Sequence, residues 1–158
     1  MRDYKADFPI FAQNKTVYID NAATAQRPAC VLDAERNFYL AHNANPLRGL
    51  YALSVAATED VEAAREAVRA FIGAQHREEI IFTRGTTESL NLVAYSYGRS
   101  QLHAGDEVLV SITEHHSNLL PWQAVCRETG AALRYIECEP DGRIDLDKAE
   151  KLMTDKTK

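Results

Sequence analysis

The chain has 158 residues, of which 46% are hydrophobic and 26% charged, and this composition is typical of one globular domain with a sizeable core. The formal net charge of −5 argues against binding to nucleic acid or to an anionic membrane surface, and no apolar stretch approaches the roughly 20 residues that span a bilayer. Cys30, Cys126 and Cys138 have neither metal-ligand spacing nor an even count. We therefore expect reduced thiols in a cytoplasmic protein.

The first half of the chain predicts a loop and two helices. A short apolar run at 17–19 leads into a loop at 20–24, and Pro28 then begins a helix. Its inner side carries Val31, Leu32, Ala34 and Phe38. After a break at 43–46, Ser54 is predicted to cap a long helix that ends at Gly73. The apolar stripe of this helix consists of Val61, Ala64, Val68, Phe71 and Ile72.

Strands and helices alternate in the second half of the chain. The predicted strands cover 79–83, 107–111 and 131–136. The predicted helices cover 86–97, 118–129 and 145–153, the first two ending at Gly98 and Gly130. Short apolar strands separated by helices are typical of a parallel sheet that is covered on both faces. The sequence therefore predicts an α/β fold with three layers, α/β/α, a mainly parallel sheet, and a single domain over 1–158.

The turn from the strand at 79–83 into the following helix is predicted to bind an anion. The first N–H groups of a helix lack internal partners, the helix dipole places partial positive charge there, and Gly85 lets a ligand approach the backbone. The hydroxyls of Thr86 and Thr87 add donors, so a phosphate group fits this turn. The alternative is an ordinary helix N-cap. A nucleotide-binding P-loop is disfavoured because the turn does not end in Gly-Lys-Ser/Thr.

A histidine follows the next strand at the same edge of the predicted sheet. His115 lies beyond the carboxyl end of the strand at 107–111, over the same rim as Thr86 and Thr87. A metal site is not expected, because His115 and His116 are neighbours that point to opposite sides of an extended segment and no third ligand has suitable spacing. A phosphate site beside a flat ring suits a phosphorylated aromatic cofactor.

Four stretches resemble, in the same order, the pyridoxal-phosphate-dependent cysteine desulfurases of the SUF type. They are Asp20-Asn21-Ala22-Ala23-Thr24, Asn45-Pro46-Leu47-Arg48-Gly49, Phe82-Thr83-Arg84-Gly85-Thr86-Thr87-Glu88 and Glu114-His115-His116-Ser117-Asn118-Leu119-Leu120-Pro121-Trp122. The resemblance extends over almost the whole chain. It implies a partial fold-type-I transferase of the class V aminotransferase superfamily, in which residues 1–158 are the N-terminal, incomplete part of the large cofactor-binding domain.

The resemblance implies a cofactor and its contacts. Gly85, Thr86 and Thr87 would bind the phosphate of pyridoxal 5′-phosphate, and His115 would stack on its ring and take part in proton transfer. For His116 a structural hydrogen bond near the start of the following helix is preferred. Cys126, which shares a helical face with apolar residues, is expected to be a small core residue. Neither Cys126 nor Cys30 is assigned as a persulfide carrier.

The resemblance also implies a substrate, L-cysteine, and a second subunit. Asn21 and Ala23 would lie near the substrate carboxylate, although a tight loop explains them equally well. Arg48 resembles an arginine that reaches the active site across a homodimer interface. Here Leu47 precedes it, where the family usually has a histidine, and this departure weakens the implied contacts between subunits.

The implied reaction removes sulfur from L-cysteine to give alanine and an enzyme persulfide, which a sulfur-acceptor protein takes for iron–sulfur cluster assembly. In the family, the lysine that binds the cofactor and the cysteine that accepts sulfur lie beyond the 158 residues seen here. The six lysines are Lys5, Lys15, Lys148, Lys151, Lys156 and Lys158. We therefore expect this chain alone to be inactive and to associate with a second copy or with a polypeptide that carries the C-terminal half. Another class V enzyme, such as a selenocysteine lyase, and a non-catalytic remnant remain alternatives.

Overall fold

A computed structural model describes residues 3–14 and 16–158. The chain divides into two compact units, one ending at Ile80 and the other formed by Ile81–Lys158. Each unit is described by itself below. The single domain over 1–158 stays a prediction.

The first unit consists of short turns and two long helices. Two 3₁₀ turns, Tyr4–Asp7 and Pro9–Phe11, precede helix α1, Ala29–Ala41, and helix α2, Ala52–Ile72. The predicted helix start is confirmed, because α1 begins immediately after Pro28. The predicted end of α2 is also confirmed, since Gly73 has a φ of 73° and stops the helix in the left-handed conformation.

Ser54 does not cap α2, contrary to the prediction. Tyr51 is the N-cap residue and makes no side-chain cap, whereas Ser54 lies within the first turn and is fully buried. Its hydroxyl donates to the carbonyl of Asn45 (2.7 Å) and accepts from the N–H of Gly49 (3.0 Å). The preceding loop thus offers this hydroxyl a donor and an acceptor, and Ser54 fastens the 45–49 loop to α2.

The apolar stripes of α1 and α2 are only partly covered. Ala57 is fully buried, but Phe71 is 90% exposed and Ile72 is 62% exposed. Val31 and Leu32 on α1 are also exposed, so the predicted inner side of that helix is not buried within the described residues. Both predicted helices are confirmed, whereas the inner side predicted for α1 is not a buried face among the described residues.

The second unit begins with one continuous helical run in three parts. Helix α3, Thr86–Val93, passes through a π turn, Ala94–Gly98, into a short helix α4, Arg99–Gln101. The predicted end at Gly98 is therefore wrong. Gly98 is right-handed (φ −55°, ψ −50°), and a Cβ at this residue would lie 3.2 Å from the Trp122 ring. Close packing against Trp122, and not helix termination, accounts for this glycine.

The sheet is parallel, as predicted. Strand β1, Glu107–Ser111, pairs with strand β2, Ala132–Ile136, with Glu107 opposite Ala132 and Ser111 opposite Ile136. Helix α5, Leu120–Thr129, connects them and ends at Gly130, whose φ is 79°. Helix α6, Leu146–Leu152, follows β2 and is capped by the Asp145 carboxylate. The α/β fold class is confirmed.

The strand predicted at 79–83 is not present. Residues 77–79 form a 3₁₀ turn, Arg77–Glu79, and residues 80–83 lie in no strand. Ile80 has an extended backbone (φ −91°, ψ 113°), but among the described residues no strand pairs with this segment. On the outer edge of β1, Thr157 instead forms a parallel bridge with Glu107. The apolar pattern predicted an extended segment here, but it could not show that no strand pairs with 80–83 among the described residues.

The core of the second unit lies between the helical run, α5 and β1. Ala94, Leu102 and Val125 are buried, and Val108 and Trp122 pack against them. Cys126 is buried beside Val125, as predicted for a core residue, and burial raises the pKa of its thiol. No helix in the described part of the chain is both long and apolar enough to cross a bilayer.

Candidate functional site

The turn that begins α3 has an open, uncapped backbone. Gly85 is the N-cap residue, with a φ of 155° and a ψ of 177°, and no side chain caps the helix. A Cβ placed on Gly85 would meet no atom within 4 Å. Thr86 and Thr87 follow in the first turn, exposed, and no hydrogen bond of their hydroxyls is found among the described residues. The start of α3 is therefore free to bind an anion.

Two hydroxyls that the sequence did not single out hold this turn in place. The Thr83 and Ser89 side-chain oxygens are 2.7 Å apart, and both approach the Gly85 carbonyl, at 3.2 and 3.3 Å. Thr83 and Ser89 flank the turn on either side. Their bonds fix the Gly85 peptide while its N–H side stays open.

Glu88, in the first turn of α3, reaches back to Arg84, the residue before the N-cap. Its carboxylate accepts from the Arg84 guanidinium (3.2 Å) and from the Arg84 backbone N–H (2.6 Å). The guanidinium bond, and next to it the backbone bond, hold the pKa of Glu88 below its ordinary value. The negative charge of Glu88 in the first turn is thus balanced by Arg84, which limits its repulsion of a bound anion.

His115 lies in the loop after β1 and is exposed. Its side chain caps a 3₁₀ turn, His116–Asn118, because Nδ1 accepts from the Ser117 backbone N–H at 3.2 Å. The Ser117 hydroxyl lies 2.9 Å from the same nitrogen. Helix α3 and the turn at 116–118 are in contact, so the helix of Thr86 and Thr87 neighbours the histidine loop within the second unit.

Asn118, and not His116, makes the structural hydrogen bonds near the start of α5. The His116 ring is exposed, lies 6.1 Å from the His115 ring, and makes no hydrogen bond to the described residues. Asn118 instead donates from Nδ2 to the Glu114 carboxylate (2.9 Å) and accepts from Trp122 Nε1 (3.1 Å). The sequence reading missed Asn118, although the spacing of four residues from Glu114 to Asn118 and from Asn118 to Trp122 is a signal that it could have used.

A cavity of about 560 Å³ lies along β1. Most of its lining is apolar, with Leu102, Val110 and Trp122 among the lining residues, and Glu114 and Asn118 supply polar atoms. Neither the 85–87 turn nor His115 lines it. The cavity is therefore separate from the predicted site.

Asn21 and Ala23 lie in a tight loop of the first unit. The N–H groups of Ala23 and Thr24 both donate to the Asp20 carbonyl, at 3.2 and 3.1 Å. The Tyr18 hydroxyl lies 2.6 Å from the Thr24 carbonyl and fastens the loop from the other side. The N–H of Ala23 is therefore engaged within the turn, and Asn21 is the exposed polar side chain of the loop.

Arg48 belongs to the loop that Ser54 fastens to α2. Leu47 has a φ of 70° and donates its N–H to Thr58 Oγ1 at 2.8 Å. The left-handed conformation is unfavourable for leucine. Arg48 follows in an exposed position, and its guanidinium forms no ion pair with the described residues. Arg48, Asn21 and Ala23 thus lie in the first unit, whereas the 85–87 turn and His115 lie in the second.

No group of three or more His, Cys, Asp or Glu residues is arranged to hold a metal ion within 3–14 and 16–158.

The family model for class-V aminotransferases matches residues 17–158. A probable cysteine desulfurase of Vibrio cholerae is 48% identical over 158 residues, which cover 98% of this chain and 39% of the relative. A probable cysteine desulfurase of Halalkalibacterium halodurans is 46% identical over 160 residues, covering 99% of this chain and 39% of the relative. The chain therefore spans about two fifths of the length of these relatives.

Solved structures have the same fold. The cysteine desulfurase CsdA from Escherichia coli superposes with a TM-score of 0.82 at 39% identity, over 98% of this chain and 39% of that chain. The apo cysteine desulfurase from Thermococcus onnurineus NA1 gives a TM-score of 0.86 at 42% identity, over 96% of this chain and 38% of that chain. The partial fold-type-I prediction is confirmed by these structures.

Proposed function

The chain belongs to the class-V aminotransferase family, and from this membership we propose that it supplies the phosphate-binding turn and the ring-stacking histidine of a pyridoxal 5′-phosphate-dependent cysteine desulfurase. The observation that carries the proposal is the uncapped start of α3 at Gly85, on a helix that contacts the turn following His115. The desulfurases of similar sequence, 44–48% identical, support the choice of reaction.

The residues of the second unit fit the cofactor. The phosphate would take the N–H groups at the start of α3 and the hydroxyls of Thr86 and Thr87, whose positions are open. The exposed ring of His115 would lie against the pyridine ring. When bound, pyridoxal 5′-phosphate supplies the electron sink that lets the amino acid lose its sulfur. Thr83 and Ser89 keep the turn in the shape that the phosphate needs.

The first unit would bind the substrate. L-cysteine carries a carboxylate, and Asn21 is the exposed polar side chain of a loop that Tyr18 and the Asp20 carbonyl hold rigid. Ala23 has no side-chain donor and its N–H is engaged, so its contribution is to keep the loop small. Arg48, exposed and without an ion pair among the described residues, would meet an anionic group.

Gly85→Ala is expected to weaken binding of pyridoxal 5′-phosphate about tenfold, a loss of about 1–2 kcal/mol. A φ of 155° is unfavourable for alanine, and the added Cβ would occupy the open space beside Gly85. The measurement is a titration of the chain with the cofactor, followed by absorbance or by Trp122 fluorescence.

Gly105→Ala is the matched control for Gly85→Ala. Gly105 also has a positive φ, 95°, and nothing lies within 4 Å of its Cβ position. The control is expected to carry similar backbone strain with unchanged cofactor affinity. Equal affinities for the Gly85 variant and the wild-type chain would contradict a phosphate site at this turn.

We further propose that the chain associates with a second copy. The alternation of the parallel ladder leaves Leu109 with its backbone groups facing away from β2, unpaired among the described residues. In the first unit Leu50 is fully exposed and Phe71 is 90% exposed. Sedimentation at increasing protein concentration is expected to show a mass that rises above that of the monomer. A monomer at every concentration tested would contradict the proposal.

The destination of the sulfur is part of the same proposal. A sulfur-acceptor protein would receive it for iron–sulfur cluster assembly, in the cytoplasm. All three cysteines of the chain are free thiols, and the buried Cys126, whose pKa is raised, is a poor nucleophile. We therefore do not assign Cys126 as the thiol that takes sulfur from L-cysteine.

A further inference from the structure

The contact between His115 and Ser117 decides where the imidazole carries its proton. Nδ1 of His115 accepts from the backbone N–H of Ser117, at 3.2 Å. A backbone N–H can only donate, so Nδ1 must offer a lone pair and carry no hydrogen. The single hydrogen of the neutral ring then lies on Nε2.

The Ser117 hydroxyl does not change this assignment. Its oxygen lies 2.9 Å from Nδ1 and could either donate or accept. If Nδ1 carried a hydrogen, the hydroxyl could accept it, but the backbone N–H would then face another N–H. The backbone donor therefore selects the tautomer, and the hydroxyl follows by donating.

A second set of bonds keeps the loop in this conformation. Trp122 Nε1 is only a donor, so it fixes the Asn118 side-chain oxygen towards α5 and leaves Nδ2 to donate to the Glu114 carboxylate. The Asn118 backbone N–H donates to the His115 carbonyl at 2.8 Å. The residues on both sides of His115 and Ser117 are thus tied to the helix that follows.

We infer that Ser117 is a positioning residue that holds neutral His115 as the Nε2–H tautomer, so that its exposed nitrogen donates a hydrogen bond to an anionic or carbonyl oxygen of the ligand. This role rests on the proposed function, whereas the tautomer itself does not. Nε2 carries a hydrogen and cannot act as a base. Proton uptake by the ring requires Nδ1 to lose the Ser117 N–H, and hence a movement of the 115–117 segment.

The test is nitrogen NMR of the histidine side chains in the 158-residue chain without cofactor, at a pH where the rings are neutral. Two-bond correlations distinguish a protonated from an unprotonated ring nitrogen. The ratio of the Nε2–H to the Nδ1–H tautomer is expected to be about fivefold larger for His115 than for His116. The His116 ring makes no hydrogen bond to the described residues. The same tautomer ratio at both histidines would overturn the inference.

Two variants separate the backbone donor from the hydroxyl. Ser117→Pro removes the N–H, and it is expected to bring the His115 ratio to that of His116. Ser117→Ala keeps the N–H and is expected to retain the wild-type excess. An unchanged ratio in folded S117P, or loss of the excess in S117A, would assign the tautomer to another cause. If S117P does not fold, S117A and the comparison with His116 decide.

Addition of pyridoxal 5′-phosphate to the same sample separates this inference from the proposed function. The resonances of His115 are expected to shift on binding while those of the exposed His103, outside the site, stay in place. The Nε2–H excess without any such shift would leave the tautomer established and contradict the cofactor site. A shift of the His115 resonances with an equal mixture of tautomers would support the cofactor site and contradict the tautomer assignment.

Discussion

Incubated with pyridoxal 5′-phosphate and L-cysteine, the isolated 158-residue chain is expected to release no alanine above the background of the free cofactor. Covalent binding of the cofactor requires a lysine amine beside the phosphate site. The sequence contains no lysine between 15 and 148. Lys148 is a poor substitute, because its hydrogen bond to Glu139 raises the pKa of its amine and keeps it protonated.

The accompanying measurement is reduction with borohydride followed by mass spectrometry. The wild-type chain and a Lys148→Arg control are expected to give the same low, scattered labelling of lysines. A reduced cofactor on one specific lysine, or alanine release that depends on the chain, would contradict the prediction and identify a complete catalytic site within these residues. Addition of a polypeptide that carries the C-terminal part of a relative is expected to restore turnover.

Gly49→Ala is expected to destabilise the first unit by about 3 kcal/mol, at the upper end of the usual cost of overpacking. A Cβ at this residue would lie 2.5 Å from Ser54 Oγ, 2.6 Å from Ser54 Cβ and 2.6 Å from Tyr51 Cε1. Ser54 is fully buried and bonded to the Asn45 carbonyl, so it cannot move away without breaking that bond. The loop that carries Arg48 is expected to detach from α2.

Urea unfolding followed by circular dichroism measures this loss, and limited proteolysis reports the state of the 45–49 loop. Gly73→Ala is the control, because Gly73 has a positive φ of 73° but open space around its Cβ position. That variant is expected to lose only the cost of a left-handed alanine, about 1 kcal/mol, with the 45–49 loop intact. A Gly49 variant as stable and as protease-resistant as the Gly73 variant would show that the loop rearranges easily.

Local signals in the sequence predicted the features that depend on neighbouring residues. Gly73 and Gly130 end helices in the left-handed conformation, which glycine adopts without strain, and both were predicted. Gly98 looks the same in sequence but continues its helix, because Trp122 occupies the space that a side chain would need. Ser54 likewise followed the rule for a cap, yet its hydroxyl is taken by the 45–49 loop. Both contacts are tertiary, and no local rule reports them.

The same distinction applies to the candidate site. Gly85 and His115 could be found because each follows a predicted strand within four residues and matches a known motif. The residues that support them, Thr83, Ser89 and Ser117, act through the direction of single hydroxyl and N–H groups. Those directions follow from backbone angles that a pattern of residue types does not contain. The assignments of ligand contacts to the predicted site residues stay predictions.

The π turn at Ala94–Gly98 also determines the angular phase of the helix that precedes it. Each residue of an α-helix advances the backbone by about 100°, and a π turn accommodates one extra residue within a turn. Gly98 and Leu102 pack beside Trp122, which fixes the C-terminal end of the helical run. The number of residues in the π turn then sets the rotation of α3 about its own axis. Deletion of one residue from 94–98 would therefore rotate Thr86 and Thr87 by about 100° around the helix axis. The extra residue of the π turn thus sets the direction in which the hydroxyls of Thr86 and Thr87 point.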